Sequence, residues 1–351
     1  MKKVLIWVGY GLAIAFVALT VINASWLAET PRGKVKLISH GGAAQYYERT
    51  ALGPDDCSAG RIEPVSHPYI ANTMGGATRA AEFAVRYVAL DVRRTADGDL
   101  VAFGDDTLDC LTDGSGSVSD KTAAELRTLD AGYRYSADGG QTFPLRGRAN
   151  SDRVIRPIGE IAKNHGDHRA LIYRFGENDA ALADLLVAKL TRAGRDPANS
   201  RDAFIGPAAP VARMRELAPD AWSFDPESAR RCAADYVMTG WYGSVPESCH
   251  QGTMLIPVDE QWKFWGWPDR LIARVSEYGT RIIVTGSTND RDIMSGLTRP
   301  EQLGDIPATF NGHIWVDDTW TVAPALRPDR DGRRDDQKEA AALALQKRRD
   351  D

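Results

Sequence analysis

From Val35 onward, short apolar runs alternate with longer stretches whose apolar residues recur at helical spacing. The runs are "VKLISH", "YVALDV", "DLVAFGD", "RALIYRF", "DAFIGP", "AWSFD", "TMLIPV", "RIIVTG" and "GHIWVDD". Between them, Thr122 to Leu129, Asp179 to Ala193, Val211 to Leu217 and Trp267 to Tyr278 read as helices. Strands alternating with amphipathic helices predict a mostly parallel sheet covered by helices, as in an α/β barrel or a doubly wound sheet. The runs exceed by one the number of strands in an eight-stranded barrel, so one is expected to be peripheral. No internal repeat is visible.

A different pattern precedes this body. Lys2 and Lys3 are followed by Val4 to Ala28, which carries no charge and is long enough to cross a bilayer, for which about 20 apolar residues suffice. A cleaved signal has a shorter apolar region and a small-x-small cleavage site. The triplets Asn23-Ala24-Ser25 and Trp26-Leu27-Ala28 place Asn or Trp where a small residue is wanted. The expected organisation is therefore an uncleaved membrane anchor at 1–28, a linker at 29–34, the α/β body at 35–326 and a charged tail at 327–351. The tail alternates charges around "EAAALALQ" and reads as a solvated helix or a frayed end.

Composition narrows the partners. The 351 residues are 26% charged and 43% hydrophobic, with a formal net charge of -5, so the chain is not disordered as a whole. Lys and Arg are scattered, which gives no electrostatic basis for nucleic-acid binding. An anchor implies an exported body, in the periplasm or another extracytoplasmic space, where cysteines pair. The four cysteines contain no C-x-x-C, which argues against a zinc ribbon. Cys57 with Cys110 and Cys232 with Cys249 is the preferred pairing, because each pair lies in neighbouring loops; four buried thiols is the alternative.

The chemistry-bearing residues gather at the carboxyl ends of the early runs, the face on which barrel enzymes work. His40 ends the first run, Asp91 stands near the end of the second, and Phe103 to Asp106 close the third. In order, "LISHGG", "HPYIANT", "YVALDVRRTADGDLVAFGDDTLD" and "SVSDKTAAELRTLDAG" resemble the glycerophosphodiester phosphodiesterase family. The resemblance continues in "GGQTFPLRG", "TGWYGSVPESC", "WGWPDR" and "HIWVDD". It implies a TIM (β/α)8 barrel. It also implies hydrolysis of glycerophosphodiesters to glycerol phosphate and an alcohol, assisted by a divalent ion such as calcium or magnesium.

The same resemblance exposes departures at the site. Where members carry His-Arg-Gly, this chain has His40-Gly41-Gly42, and the phosphate-facing arginine is gone. Glu-Asn-Thr is replaced by Ala71-Asn72-Thr73, the metal-binding Glu-x-Asp by Ala89-Leu90-Asp91, and His-Asp by Gly104-Asp105. On the fourth run, members carry a polar metal ligand and a lysine two residues apart; "LIYRF" offers Tyr173 and Phe175, or Arg174 if the register slips by one. What remains is His40 as a catalytic candidate and Asp91 as a metal ligand, with Asp105 and Arg174 as possible substitutes. Hydrolysis needs both an acid and a base, and the loss of one costs about 10²–10⁴ in rate. A single carboxylate also holds a hard cation weakly.

Two functions follow. The first is a membrane-anchored, catalytically impaired family member that binds a polar headgroup, a glycerophosphodiester or a protein partner, and needs no metal. The second is a metal-dependent hydrolase working with a reduced site of His40 and Asp91. Plainer readings stand beside the remaining motifs. Asp97-Gly98 reads as a hairpin turn. Trp262, Trp265 and Trp267 read first as core packing, with a ligand mouth or a bilayer-facing surface as alternatives. His165 and His168 read as a solvated loop before a strand.

Overall fold

The computed structural model describes residues 2–47, 56–147, 153–166, 169–288 and 294–350. All nine apolar runs form strands: β1 (Lys36–His40), β2 (Tyr87–Arg94), β3 (Leu100–Ala102), β4 (Ala170–Phe175), β5 (Ala203–Ile205), β6 (Trp222–Phe224), β7 (Thr253–Pro257), β8 (Arg281–Thr285) and β9 (His313–Val316). Eight run parallel in the order β6-β5-β4-β2-β1-β9-β8-β7. The peripheral run is β3, which folds back antiparallel on β2 with Val92 opposite Ala102. Its turn is the expected hairpin: Gly98 takes φ +70° and Thr95 Oγ1 donates to Asp97 Oδ1 at 2.5 Å.

The result is a nearly closed TIM barrel. No ladder joins β6 to β7; instead the Trp222 indole donates to Thr253 Oγ1 at 2.9 Å. Side chains alternate along each strand. Ile38, Ala89, Ile172, Ile205, Leu255, Ile283 and Trp315 fill the barrel. Val88, Leu90, Leu171 and Tyr173 point outward against the helical layer. Burial on both faces is why these strands read as continuous apolar runs.

The helices are α1 (Lys2–Asn23), α2 (Met74–Glu82), α3 (Ala123–Leu126), α4 (Ile158–His165), α5 (Ala181–Arg192), α6 (Ala208–Leu217), α7 (Pro226–Thr239), α8 (Asp269–Ser276), α9 (Thr319–Leu326) and α10 (Asp335–Asp350). The helix expected over Thr122 to Leu129 shrinks to the four residues of α3, started by a capping box between Thr122 and Glu125. The apolar stretch ends as a helix at Asn23, short of Ala28, because Ala24 is buried against the body.

Three expectations are corrected. The tail is not free: α10 buries Gln337 and Ala341. Its Arg348 forks onto Glu63 at 2.6 and 2.7 Å, bonds Asp318 at 2.7 Å and stacks on Tyr46. That arginine sits beyond the alanine-rich stretch, where charge alternation hides a specific partner. His165 is buried at the end of α4 rather than solvated; His168 lies outside the described residues. Of the three tryptophans, only Trp267 packs inward, on Phe310, while Trp262 and Trp265 are exposed.

Both expected disulfides are present, Cys57–Cys110 and Cys232–Cys249. They span 53 and 17 residues, so the chain-entropy model gives about 4 and about 3 kcal/mol of stabilisation. Cys57→Ser/Cys110→Ser is therefore expected to lower the denaturant midpoint more than Cys232→Ser/Cys249→Ser. Equal shifts in urea titrations would contradict that ordering.

Candidate functional site

The site lies at the carboxyl ends of β1, β2, β4 and β9, where a period of two sends His40, Asp91, Arg174 and Asp317 toward the barrel axis. Parallel pairing places Arg174 opposite Asp91. The register expected on the fourth strand is thus corrected. Tyr173 and Phe175 belong to the outer layer, Tyr173 on Phe204 and near Asp202. The inward pair two residues apart is Ile172 and Arg174. That pair offers the barrel axis one apolar side chain and one cation.

These side chains form one connected group. His40 Nδ1 is 2.9 Å from Asp317 Oδ1. On its other side, Nε2 lies 3.6 Å from Asp91 Oδ2 and in close contact with Arg174 Nη1. Arg174 Nη1 donates to Asp91 Oδ1 at 2.8 Å, and Asn72 Nδ2 donates to Asp91 Oδ2 at 2.9 Å. The Asp91 amide returns a hydrogen bond to Asn72 Oδ1 at 2.8 Å. Arg174 also lies over the Trp315 ring.

The charges are mutually balanced. Burial disfavours the Asp91 carboxylate, but Arg174, His40 and Asn72 together hold it well below the usual carboxylate range. Burial and Arg174 oppose charge on His40, yet its hydrogen bonds to Asp317 and Asp91 prevail and hold the imidazole above its ordinary value. Asp105 lines the adjoining cavity, and burial raises its carboxyl despite Arg93 nearby. Arg93 is turned to the loop, donating to the Gly104 carbonyl at 2.6 Å and pairing with Asp106 at 3.2 Å.

A cavity of about 120 Å³ lies beside this group, lined by Gly41, Ala71, Phe103, Gly104, Asp105 and Tyr135 among others. Gly42 (φ +87°) is required by close packing, because a Cβ there would lie 2.5 Å from the Gly76 backbone. At Gly41 (φ +68°) a Cβ would meet that of Ala71 at 2.9 Å. A side chain at position 41 would therefore be strained by its positive φ and crowded by Ala71. At Gly104, by contrast, a Cβ would make ordinary contacts with Asn72 and Asp91.

This donor set does not fit a divalent cation. Asp91 already accepts from a guanidinium and an amide, Ala89 and Ile172 supply no oxygen, and among the described residues no group of three His, Cys, Asp or Glu side chains could hold a metal. Asp317 and Asn72 are the partners that sequence reasoning left without a role. Alternation in "HIWVDD" placed Asp317 in line with Trp315, and that was its only signal.

Comparison with known proteins gives a consistent neighbourhood. Residues 64–154 match the model of the glycerophosphoryl diester phosphodiesterase family. A glycerophosphodiester phosphodiesterase of Caldanaerobacter subterraneus is 42% identical over 64 residues, which are 18% of this chain and 26% of that protein. The chain spans about a quarter of the length of the curated relatives it matches. Among solved structures, the glycerophosphoryl diester phosphodiesterase domain of an uncharacterized Mycobacterium tuberculosis protein superposes with a TM-score of 0.60 at 16% identity, covering 84% of this chain and 99% of that one. A glycerophosphodiester phosphodiesterase of Agrobacterium tumefaciens gives 0.54 at 18% identity, with 84% and 99% covered. At these identities the structural likeness speaks for the barrel.

Proposed function

We propose that this chain is a catalytically impaired member of the glycerophosphodiester phosphodiesterase family, as the match over residues 64–154 and the barrel support, and that it binds a polar headgroup or a protein partner in the cavity beside His40 without hydrolysing it. The observation that carries this reading is Arg174 seated on both Asp91 and His40. An internal cation bonds the one carboxylate left for a metal, and the one imidazole left for acid-base work is held between Asp317, Arg174 and Asp91. Diester hydrolysis in the family's manner needs the developing negative charge neutralised and two proton transfers made. Gly41, Ala71, Ala89, Gly104 and Ile172 contribute to neither.

The apolar helix α1 supports an anchored body, since its Ile6–Asn23 stretch is apolar enough to cross a membrane. The two disulfides fit an oxidising, extracytoplasmic compartment. A second reading, hydrolysis by a reduced site, draws on Asp105, whose raised carboxyl lines the cavity and suits a general acid.

The two readings separate in one assay. Glycerophosphocholine incubated with the chain in calcium or magnesium is expected to turn over at background, with EDTA making no difference, while calorimetry detects binding. The variant Ala71→Glu/Ala89→Glu/Gly104→His/Ile172→Glu/Arg174→Lys is expected to gain metal-dependent turnover. Metal-dependent turnover by the natural chain that His40→Ala abolishes would establish the reduced-site hydrolase instead.

A further inference from the structure

Helix α1 does not join the barrel through a flexible tether. Its last turn is bonded to the body: Arg274 Nη2 donates to the Ile22 carbonyl at 2.6 Å, and Arg274 Nη1 to Asn23 Oδ1 at 3.0 Å. Asn23 Nδ2 donates to the Trp241 carbonyl at 2.7 Å, and Ser25 Oγ accepts from the Asp269 amide at 2.9 Å. Ala24, between them, is 2% exposed. The remainder of α1 projects away from the body, with none of its apolar window buried.

Around that clamp the surface is apolar and aromatic. Trp26 and Leu27 follow the helix and are 76% and 54% exposed; Met238 is 73% exposed. Trp241, Tyr242 and Trp265 complete the patch, also exposed. Trp241 and Tyr242 pack edge to face, and the Trp265 indole is tied to the Val237 carbonyl, so these rings are held in place. Among the described residues nothing covers this patch, and indole and phenol rings favour the headgroup layer of a bilayer.

We infer that the flank around the end of α1, beside α7 and α8, lies on the phospholipid bilayer, with Trp26, Leu27, Met238, Trp241, Tyr242 and Trp265 inserted at headgroup level. The inference rests on the proposed anchoring by α1. The 22 residues of α1 span about 33 Å at 1.5 Å per residue, close to the hydrocarbon thickness of about 30 Å. Its end therefore coincides with the membrane interface, and the residues bonded to that end are carried there with it. With no free residue between helix and clamp, the barrel has no slack with which to stand off.

The test uses the full chain in nanodiscs of phosphatidylcholine and phosphatidylglycerol, with benzoylphenylalanine placed in turn at Trp7, Met238, Trp241 and Leu343. Trp7 lies within α1, and Leu343 is an exposed position on α10. On irradiation, positions 7, 238 and 241 are expected to crosslink to phospholipid several-fold more than position 343. Lipid crosslinks at 7 with none at 238 and 241 overturn the inference and leave the anchor standing. Absence of lipid crosslinks at 7 removes the anchor and the inference together. Equal crosslinking at 343 and 238 shows an unspecific encounter and also overturns it.

Discussion

Acidification from pH 7 to pH 4.5 is expected to destabilise the folded protein steeply, through two buried histidines outside the site. His67 is 6% exposed and its ring is fully used as the neutral form. Nδ1 accepts from the Tyr69 amide at 3.2 Å with Gln45 Nε2 at 3.1 Å, and the Ala44 carbonyl takes the other ring proton. Among the described residues a second ring proton has no acceptor. Burial, with Arg79, Arg153 and Arg333 nearby, brings its pKa down to about 3. His313, on β9, is 8% exposed; burial, Lys36, Arg281 and Arg86 likewise bring it down to about 3.

The sign follows from linkage. Each histidine binds a proton near pH 6.5 when unfolded and only near 3 when folded, so its contribution is complete above pH 6.5 and is lost as pH falls toward 3. Within that window each costs about 1.4 kcal/mol per pH unit, roughly 3 for the pair. His40 works the other way. Raised in the folded state, it stabilises fully below the unfolded imidazole value and loses that contribution as pH rises through its folded value, so it adds no slope in the acid range. Urea midpoints measured between pH 7 and 4.5 should fall steeply, and His67→Gln should remove about half of the slope. A flat profile would mean that neither histidine is buried neutral.

Asp202→Ala is expected to lower stability by about 3–5 kcal/mol, the range for breaking a buried ion pair by removing one partner. Arg195 and Asp202 are 2% and 0% exposed at their side chains. Arg195 Nε and Nη2 each donate to Asp202 at 2.5 Å. The same guanidinium bonds the carbonyls of Ala162, Gly166 and Arg169, and Asp202 accepts the Leu171 amide at 2.8 Å. One pair thereby ties the end of α4 to the starts of β4 and β5. Removing the carboxylate takes away two charge-assisted hydrogen bonds, and the arginine is left where water cannot replace them. Asp202→Asn, which keeps the shape and one acceptor, should cost less. An unfolding midpoint unchanged in Asp202→Ala would show that the pair contributes nothing net.

How far the sequence could be read depended on which physical signal each feature leaves. The barrel was legible because parallel strands buried on both faces appear as uninterrupted apolar runs, and all nine were strands. The hairpin at Asp97-Gly98 was legible from local turn chemistry. The small side chains at Gly41, Ala71, Ala89 and Gly104 were legible because a side chain that is absent from the sequence is absent in every fold. Tyr173 and Phe175 were misplaced because "LIYRF" is apolar on both faces but for one residue. Nothing local distinguishes the inward set of such a strand from the outward one.

What decided the register was tertiary. Asp202 and Phe204 offer Tyr173 an outer site, and pairing with β2 sets Arg174 against Asp91. The roles of Asp317, Arg348 and Asn23 were likewise settled by partners more than two hundred residues away in the chain. By itself the sequence determined the fold class, the membrane-length apolar helix and the small side chains around the site, since each is a property of composition or period. The structure alone decided which cation is seated on Asp91 and His40 and which surface surrounds the helix, because both depend on contacts that only the closed barrel brings together.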